Sequence, residues 1–216
     1  MSLLDTEQGR RWKSGFGKEW SCRNLFTLSE LDRHYEGKYG ITRSELNQRF
    51  LEGIPKDASI LEVGCNLGNQ LVALHQAKFT NLHGIEIQGE IVKEARTRMP
   101  WARISEASAL QIPFPGACFD LVFTSGVLIH IAPEDLQAAM EEIHRVARSW
   151  IWGLEYYAPV MTETPYRGHR DLMWKADYGQ LFVQSFADLE LVLEERLPYL
   201  QDENVDTMYL LRRKKK

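Results

Sequence analysis

Between residues 55 and 158 short apolar runs alternate with amphipathic stretches. "SILEVGC" (59–65), "LHGIEI" (82–87), "FDLVFTSG" (119–126) and "WIWGLEYY" (150–157) read as strands, and "ARISEAS" (102–108) as a weaker one. "NQLVALHQAKF" (69–79), "GEIVKEARTRM" (89–99) and "PEDLQAAMEEIHRVARS" (133–149) carry apolar positions at helical spacing; Pro100 ends the second and Pro133 opens the third. Strand and helix in alternation predict an α/β fold, a parallel sheet covered by helices on both faces.

The flanks depart from that rhythm. "TRSELNQRFLEGI" (42–54) has a capping-box start, Thr42 with Glu45 three residues on, and Pro55 stops it. Residues 1–40 are polar and dotted with aromatics around "WKSGFGKEWSCRN", and read as a partly helical extension. After 158 comes a long polar-aromatic insertion, "APVMTETPYRGHRDLMWKADYGQLF", and then two strands, "ELVLEERL" and "VDTMYLLRR", with no helix between them. Two such strands predict an antiparallel terminal hairpin, so the expected sheet has seven strands and an antiparallel last one. The expected organisation is one domain: extension 1–40, core 41–158, insertion 159–188 and hairpin 189–216.

Composition sets limits on this picture. A net charge of −4 with a pI near 5.9 argues against a general nucleic-acid or membrane-surface binder. The basic run Arg212 to Lys216 reads as a solvated end. Cys22, Cys65 and Cys118 are odd in number and irregularly spaced, so neither a disulfide framework nor a zinc site is indicated. Glu141 and His144 share a helical turn but lack further ligands, and no metal is expected. With no signal-peptide pattern and no apolar run near the ~18 residues of a membrane span, a cytoplasmic protein is expected, as monomer or homodimer.

The chemistry starts at "EVGCNLG" (62–68). Glycines after a buried strand allow a ligand close to the backbone, and in an open α/β sheet ligands sit beyond the carboxyl ends of the strands. A dinucleotide fingerprint needs glycines at 64, 66 and 69, where the chain has Gly64, Asn66 and Asn69; a Walker loop needs Gly-Lys-Ser/Thr, which is absent. Glu86 ends the second strand, eighteen residues past Gly68, where a carboxylate can accept from both hydroxyls of a ribose. That supports an adenosyl cofactor without choosing between a dinucleotide and S-adenosylmethionine.

Glu62, Gly64, Asn66 and Gly68, with "SEASALQIPFPGACFDLVFTSGVLIHI" downstream, resemble class I S-adenosylmethionine-dependent methyltransferases with a Rossmann-like fold. The resemblance implies that Gly64, Cys65, Asn66 and Gly68 wrap the methionine end of the cofactor and that Glu62 faces its ammonium side. It implies Glu86 and Ile87 at the ribose, Ser108 and Ala109 at the adenine, and Ser125, Gly126 and Val127 at the methyl-donor side, with His130 just beyond. Ser108 replaces the usual aspartate, a weaker partner for the adenine amine. Asp120 reads as structural.

More of the chain, from about residue 9 to 213, is similar to the pseudaminic acid biosynthesis-associated methylases. The similarity runs through "GFGKEW", "RNLF", "VFTSGVLIHIAPEDL", "LEYYAP", "PYRGHRDLMWKADYG" and the strand holding Asp206. It implies that Phe16, Gly17, Trp20, Arg23 and Asn24 form a lid over the cofactor. Trp20, Ala158 and "DTMYLL" depart from the family's usual residues, and the last two flank the expected acceptor pocket, which points to a different acceptor.

For the transfer itself, Glu155 and His169 are candidate bases, with His130 and Tyr157 also at the reacting centre. Tyr156, Tyr157, Tyr166, Arg167, His169 and Arg170 are candidates for the acceptor pocket, since paired arginines recognise carboxylate or phosphate. The reading is a biosynthetic methyltransferase that takes S-adenosylmethionine to S-adenosylhomocysteine on a small anionic acceptor of sugar or nonulosonic-acid type. A natural-product methyltransferase, a nicotinamide oxidoreductase and a non-catalytic S-adenosylmethionine-binding protein are the alternatives.

Overall fold

The structure, a computed structural model, describes residues 6–214. Four helices come first: α1 (Glu7–Trp12), α2 (Gly15–Arg23), α3 (Leu28–Tyr39) and α4 (Arg43–Phe50). Thr27 and Thr42 both start their helices with capping boxes, closed by Glu30 and Glu45. Then follow β1 (Ser59–Val63), α5 (Asn69–Gln76), β2 (Asn81–Glu86), α6 (Gly89–Arg98), β3 (Arg103–Glu106) and β4 (Phe119–Ser125). A short 3-10 turn (Leu128–His130) leads to α7 (Pro133–Val146) and directly into β5 (Ala147–Tyr156). The chain closes with β6 (Thr162–Glu163), β7 (Trp174–Lys175), α8 (Tyr178–Ser185), β8 (Leu189–Pro198) and β9 (Val205–Arg213).

The main sheet has the order β3-β2-β1-β4-β5-β9-β8. Its first five strands are mutually parallel, and β9 runs antiparallel to both of its neighbours, β5 and β8. The expected α/β class and the seven-stranded, mostly parallel sheet are what the chain forms.

Side-chain alternation divides the core. Ile60, Leu121, Phe123 and Trp152 pack with Leu46, Phe50, Leu71 and Ala95 of the helices on one face. Leu61, Val122, Ile151 and Leu211 pack with Leu136, Met140, Ile143 and Phe182 on the other. Phe182, with none of its surface exposed, contributes roughly 1.5–3 kcal/mol by burial.

One local expectation needs correction: residues 147–149 belong to β5 rather than to the preceding helix, because Ala147 is already in register with Phe119. Within the insertion β6 and β7 pair, and α8 forms behind an Asp177 cap that accepts from the Gln180 backbone N–H. The partly helical extension is helical over most of its described length. Of the basic run, Arg212 bonds Glu190 and Arg213 bonds the His144 carbonyl; Lys215 and Lys216 lie outside the described residues.

Candidate functional site

The order β3-β2-β1-β4 reverses direction at β1, so the loops after β1 and β4 diverge and leave a crevice. Gly64 begins the first loop at φ 71, and a Cβ there would lie 2.7 Å from Val127 Cγ2 of the second, so only glycine lets the two loops approach this closely. Gly64, Asn66, Glu86, Ile87, Ser108, Ala109, Ser125, Gly126, Val127, His130 and Trp20 line one pocket there. All eleven were singled out from sequence.

Glu86 is 5% exposed. It accepts the Asn66 backbone N–H at 3.0 Å on Oε2, and on Oε1 both the Gln88 backbone N–H at 3.0 Å and the Gln88 side-chain amide at 3.4 Å. Burial pushes its carboxyl up, against those bonds. A carboxylate has about four lone-pair sites, so one is left, on Oε2, for a ligand hydroxyl, and a second hydroxyl of a vicinal diol would have to displace the long Gln88 side-chain bond. Ser108 also lines the pocket, with its Oγ accepting the Leu110 N–H at 3.2 Å. Among the described residues the lining includes two carboxylates, Glu86 and Asp135, and no lysine or arginine. It therefore fits a cationic sulfonium bearing an ammonium group and gives a pyrophosphate no counter-charge.

Several expected cofactor residues stand elsewhere. Glu62 is buried away from the pocket; one of its oxygens has no hydrogen-bond partner, and burial holds its carboxyl well above the usual range against the pull of Arg43. Its position on β1, one residue after Leu61, turns it to the face covered by α4. Cys65 is buried, and burial raises its thiol. Gly68 starts α5 and abuts Met99. Arg23 is exposed, and Asn24 receives at its backbone carbonyl the Asn69 side-chain amide, which joins α2 to α5. None of these five lines the pocket.

Asn66 links the loop to the N-terminal extension, its side-chain amide donating to Ser21 Oγ at 2.6 Å. Ser21 in turn donates to the Gly17 carbonyl, within α2. The extension also reaches the insertion: Trp20 Nε1 donates to Tyr166 Oη at 2.7 Å, and Arg11 donates to His169 Nδ1 at 2.7 Å. Tyr166 and His169 exchange two backbone bonds across a two-residue turn, Arg167-Gly168, both at positive φ.

His130 Nδ1 lies 2.7 Å from the Leu172 carbonyl. Since a carbonyl only accepts, Nδ1 carries the proton and Nε2 keeps its lone pair. Burial lowers its pKa to about 4, against that hydrogen bond, so the ring is neutral at pH 7.

The other candidates at the reacting centre are placed differently. Glu155, 1% exposed, accepts the backbone N–H groups of Val127 at 3.2 Å and Ile129 at 3.4 Å, which fixes the 3-10 turn; burial raises its carboxyl to about 7. The Arg196 guanidinium sits 3.3 Å from the centre of the Tyr157 ring. Tyr156 stands between Lys38 and Lys175, 5.3 and 5.8 Å away. Arg167 and Arg170 are exposed, and neither these residues nor Glu155 and the two tyrosines line the pocket. Asp120 is structural, accepting Ser59 and Arg148 at the far end of β4, and His144 pairs with Asp188 rather than Glu141.

Sequence reasoning missed Thr6, Gln8, Gly9 and Trp12 of the N-terminal extension, and Asp135 at the start of α7, all in the lining. Trp12 had a signal, since it opens the aromatic run that contains Trp20.

Residues 60–149 match the family profile described as a methyltransferase domain. An uncharacterised methyltransferase of Synechocystis is 30% identical over 89 residues, and an uncharacterised protein of Haemophilus influenzae 24% over 102; these cover 41% and 44% of this chain. The matches span 42% and 41% of those proteins, about two fifths of the curated relatives' length. Among solved structures, a Burkholderia thailandensis 1,6-didemethyltoxoflavin N1-methyltransferase, with S-adenosylhomocysteine bound, superposes with a TM-score of 0.71 at 15% identity. It covers 97% of this chain and 90% of its own. A Methanosarcina mazei S-adenosylmethionine-dependent methyltransferase gives 0.63 at 14%, covering 79% and 98%. A [4+2]-cyclase gives 0.63 at 15%, covering 80% and 82%. Residues 60–149 are thus similar to a methyltransferase domain, and the fold is the Rossmann-like one of these solved structures; the N-terminal extension and the insertion lie outside the matched span.

Proposed function

We propose that this chain is a class I methyltransferase that uses S-adenosylmethionine to methylate a small molecule. The observation that carries the reading is the pocket at the sheet's reversal point, where Glu86 keeps a free lone-pair site on Oε2 and, among the described residues, no cationic side chain stands ready for a phosphate. Glu86 would hold the ribose, the Ser108–Leu110 segment the adenine, and the Gly64–Asn66 backbone the amino-acid end. When bound, the cofactor supplies a methyl group: its sulfonium carbon–sulfur bond breaks, the electrons return to sulfur as a thioether, and carbon bonds the acceptor heteroatom, which sheds one proton.

His130 is the group we assign to that proton. It lines the pocket beside Gly126 and Val127, its tautomer leaves Nε2 as an acceptor, and it is neutral at working pH. This also favours transfer over binding alone, since a sensor needs no oriented imidazole. Glu155 acts as a positioning residue that holds the turn bearing His130. The lid helices would exclude water from the transfer. A nicotinamide reading lacks both the third loop glycine and a cation for the pyrophosphate.

An acceptor of anionic sugar or nonulosonic-acid type is supported by the resemblance noted from sequence and by Arg167 and Arg170 on the insertion hairpin. Their exposure away from the pocket weighs against it.

Isothermal titration with S-adenosylhomocysteine tests the whole reading. Micromolar-range binding is expected, and its absence, with the chain folded, overturns it.

A further inference from the structure

We infer that Ser21 is a positioning residue: through it, the ribose hydroxyls of the cofactor draw helix α2 onto the pocket. The inference rests on the methyltransferase reading above.

Ser21 is wholly buried on α2, and its hydroxyl is fully used. It donates to the Gly17 carbonyl at 3.0 Å and accepts two side-chain amides, Asn66 Nδ2 at 2.6 Å and Gln88 Nε2 at 3.5 Å. A helical serine is satisfied by the carbonyl four residues back, so α2 itself has no need of the two amides. Asn66 and Gln88 both line the pocket, and both hold Glu86 with their backbone N–H groups. The carboxylate assigned to the ribose and the serine of α2 therefore share the same two partners.

The Gln88 amide is divided between them. Its Nε2 lies 3.4 Å from Glu86 Oε1 and 3.5 Å from Ser21 Oγ, both longer than a normal N–H···O bond. Gln88 is the N-cap of α6 and makes no side-chain cap bond, so the amide has no task in its own helix. A ribose hydroxyl that donates to Oε1 takes the amide's place there. Ser21 is then the acceptor left to it, and one shortened bond to α2 replaces two long ones. The Asn66 bond to Ser21 is not disturbed, because the Asn66 backbone N–H sits on the other oxygen, Oε2.

Drawing α2 inward acts on the reacting centre. The preceding residue, Trp20, donates to Tyr166, whose ring packs 5.0 Å from that of His130. The helix already sits tight on Gln88, since a Cβ at Gly17 would lie 2.9 Å from Gln88 Oε1. Ser21 does not line the pocket itself. It passes occupancy of the ribose site to the wall beside His130, so that this wall is set once the cofactor is in place.

The test follows hydrogen exchange of the α2 backbone amides in the full chain. The chain is saturated in turn with S-adenosylhomocysteine and with S-(2′,3′-dideoxyadenosyl)homocysteine, which lacks the diol. In wild type the diol compound should slow α2 exchange at least about fivefold more than the dideoxy compound. Gln88→Met keeps the length of the side chain and removes the amide, leaving Asn66 on Ser21; the two compounds should then protect α2 equally. Ser21→Ala should behave the same way, and both variants should keep S-adenosylhomocysteine affinity within about tenfold. Equal protection by the two compounds in wild type overturns the inference, as does a difference that survives in Gln88→Met. The wild-type comparison stands even where a variant fails to fold. Failure of the wild type to bind S-adenosylhomocysteine in calorimetry sinks the methyltransferase reading, and this inference with it.

Discussion

Trp20 donates its indole N–H to the Tyr166 hydroxyl at 2.7 Å, and this bond joins the N-terminal lid to the insertion hairpin beside the pocket. The partners lie 146 residues apart, so the bond links two segments that the sheet core separates. Tyr166→Phe removes the acceptor and leaves the ring on His130. The loss is one neutral hydrogen bond, about 0.5–1.5 kcal/mol. Stopped-flow release of S-adenosylhomocysteine should quicken by a few-fold, and a double-mutant cycle with Trp20→Phe should return a coupling of that size. A coupling near zero would mean that the lid and the hairpin close independently.

Glu86 carries the most direct prediction for the cofactor. Glu86→Ala removes the expected ribose acceptor and also leaves the Asn66 and Gln88 amides without their partner. Affinity for S-adenosylhomocysteine should fall by about 1.5–3 kcal/mol, the range for hydrogen bonds to a charged group. Calorimetry that returns the wild-type dissociation constant would remove Glu86 from the site.

Glu155 makes stability depend on pH in a defined direction. Its folded pKa, about 7, lies above the ordinary 4.5, so the folded state binds the proton more tightly. The resulting stabilisation is fully present below pH 4.5 and is lost as pH rises through 7, on the order of 3 kcal/mol in all. Glu155→Gln abolishes that slope. Urea unfolding at pH 5 and pH 8 should therefore show wild type losing ground relative to the variant at the higher pH. Parallel curves would show that the carboxylate is ionised throughout.

His130 shifts the other way. Its pKa of about 4 keeps the imidazole neutral across the range in which an ordinary histidine titrates. Long-range nitrogen–proton spectra should report the Nδ1–H tautomer with no change from pH 5 to 8. A titration near 6.5 would place the ring in water and remove it as the oriented base.

What could be read in the sequence was whatever depends on neighbours in the chain. Hydrophobic alternation specified the strands, and the position of Glu86 at a strand end specified its place beside the loop. Thr42 with Glu45 specified a helix start. Contacts across the fold could not be read this way. Glu62 has the spacing of a cofactor residue, yet the β-strand's alternation turns it toward Arg43 on α4. Glu155 stands at a strand end like Glu86, but the backbone amides of the 3-10 turn fold back onto it. Arg167 and Arg170 suggested an anion pocket by composition alone, and the two-residue turn between Tyr166 and His169 holds Arg167 outward at its tip. Trp12 went unnoticed because its importance comes from His130, far along the chain.

Arg43 tests how the buried polar layer under the loop is held. It is fully buried, donates to Asn47 Oδ1 at 2.7 Å and Tyr35 Oη at 3.0 Å, and lies 4.9 Å from the Trp152 ring centre. It also draws down the carboxyl of Glu62. Arg43→Met should destabilise by about 1–3 kcal/mol, since it leaves Asn47 Oδ1 and Tyr35 Oη in the core without their donor. Adding Glu62→Gln should recover only the part of that loss that comes from the charge facing Glu62, in urea unfolding. Equal destabilisation in the single and double variants would show that Arg43 acts through packing alone.

Gly17 isolates the lid from the core. A Cβ at this position would lie 1.9 Å from the Trp12 backbone carbonyl, a contact that a side-chain rotation cannot relieve. Gly17→Ala must therefore push α1 away from α2, carrying Trp12 off the pocket wall, while the sheet and its two hydrophobic layers stay intact. The thermal transition should change little, because α1 has no buried residue. S-adenosylhomocysteine binding should weaken by at least about tenfold, since Thr6, Gln8, Gly9 and Trp12 all line the pocket. Fluorescence from Trp12 should shift to the red as the indole meets water. Undiminished cofactor affinity in a folded Gly17→Ala protein would show that the lid does not contribute to the site.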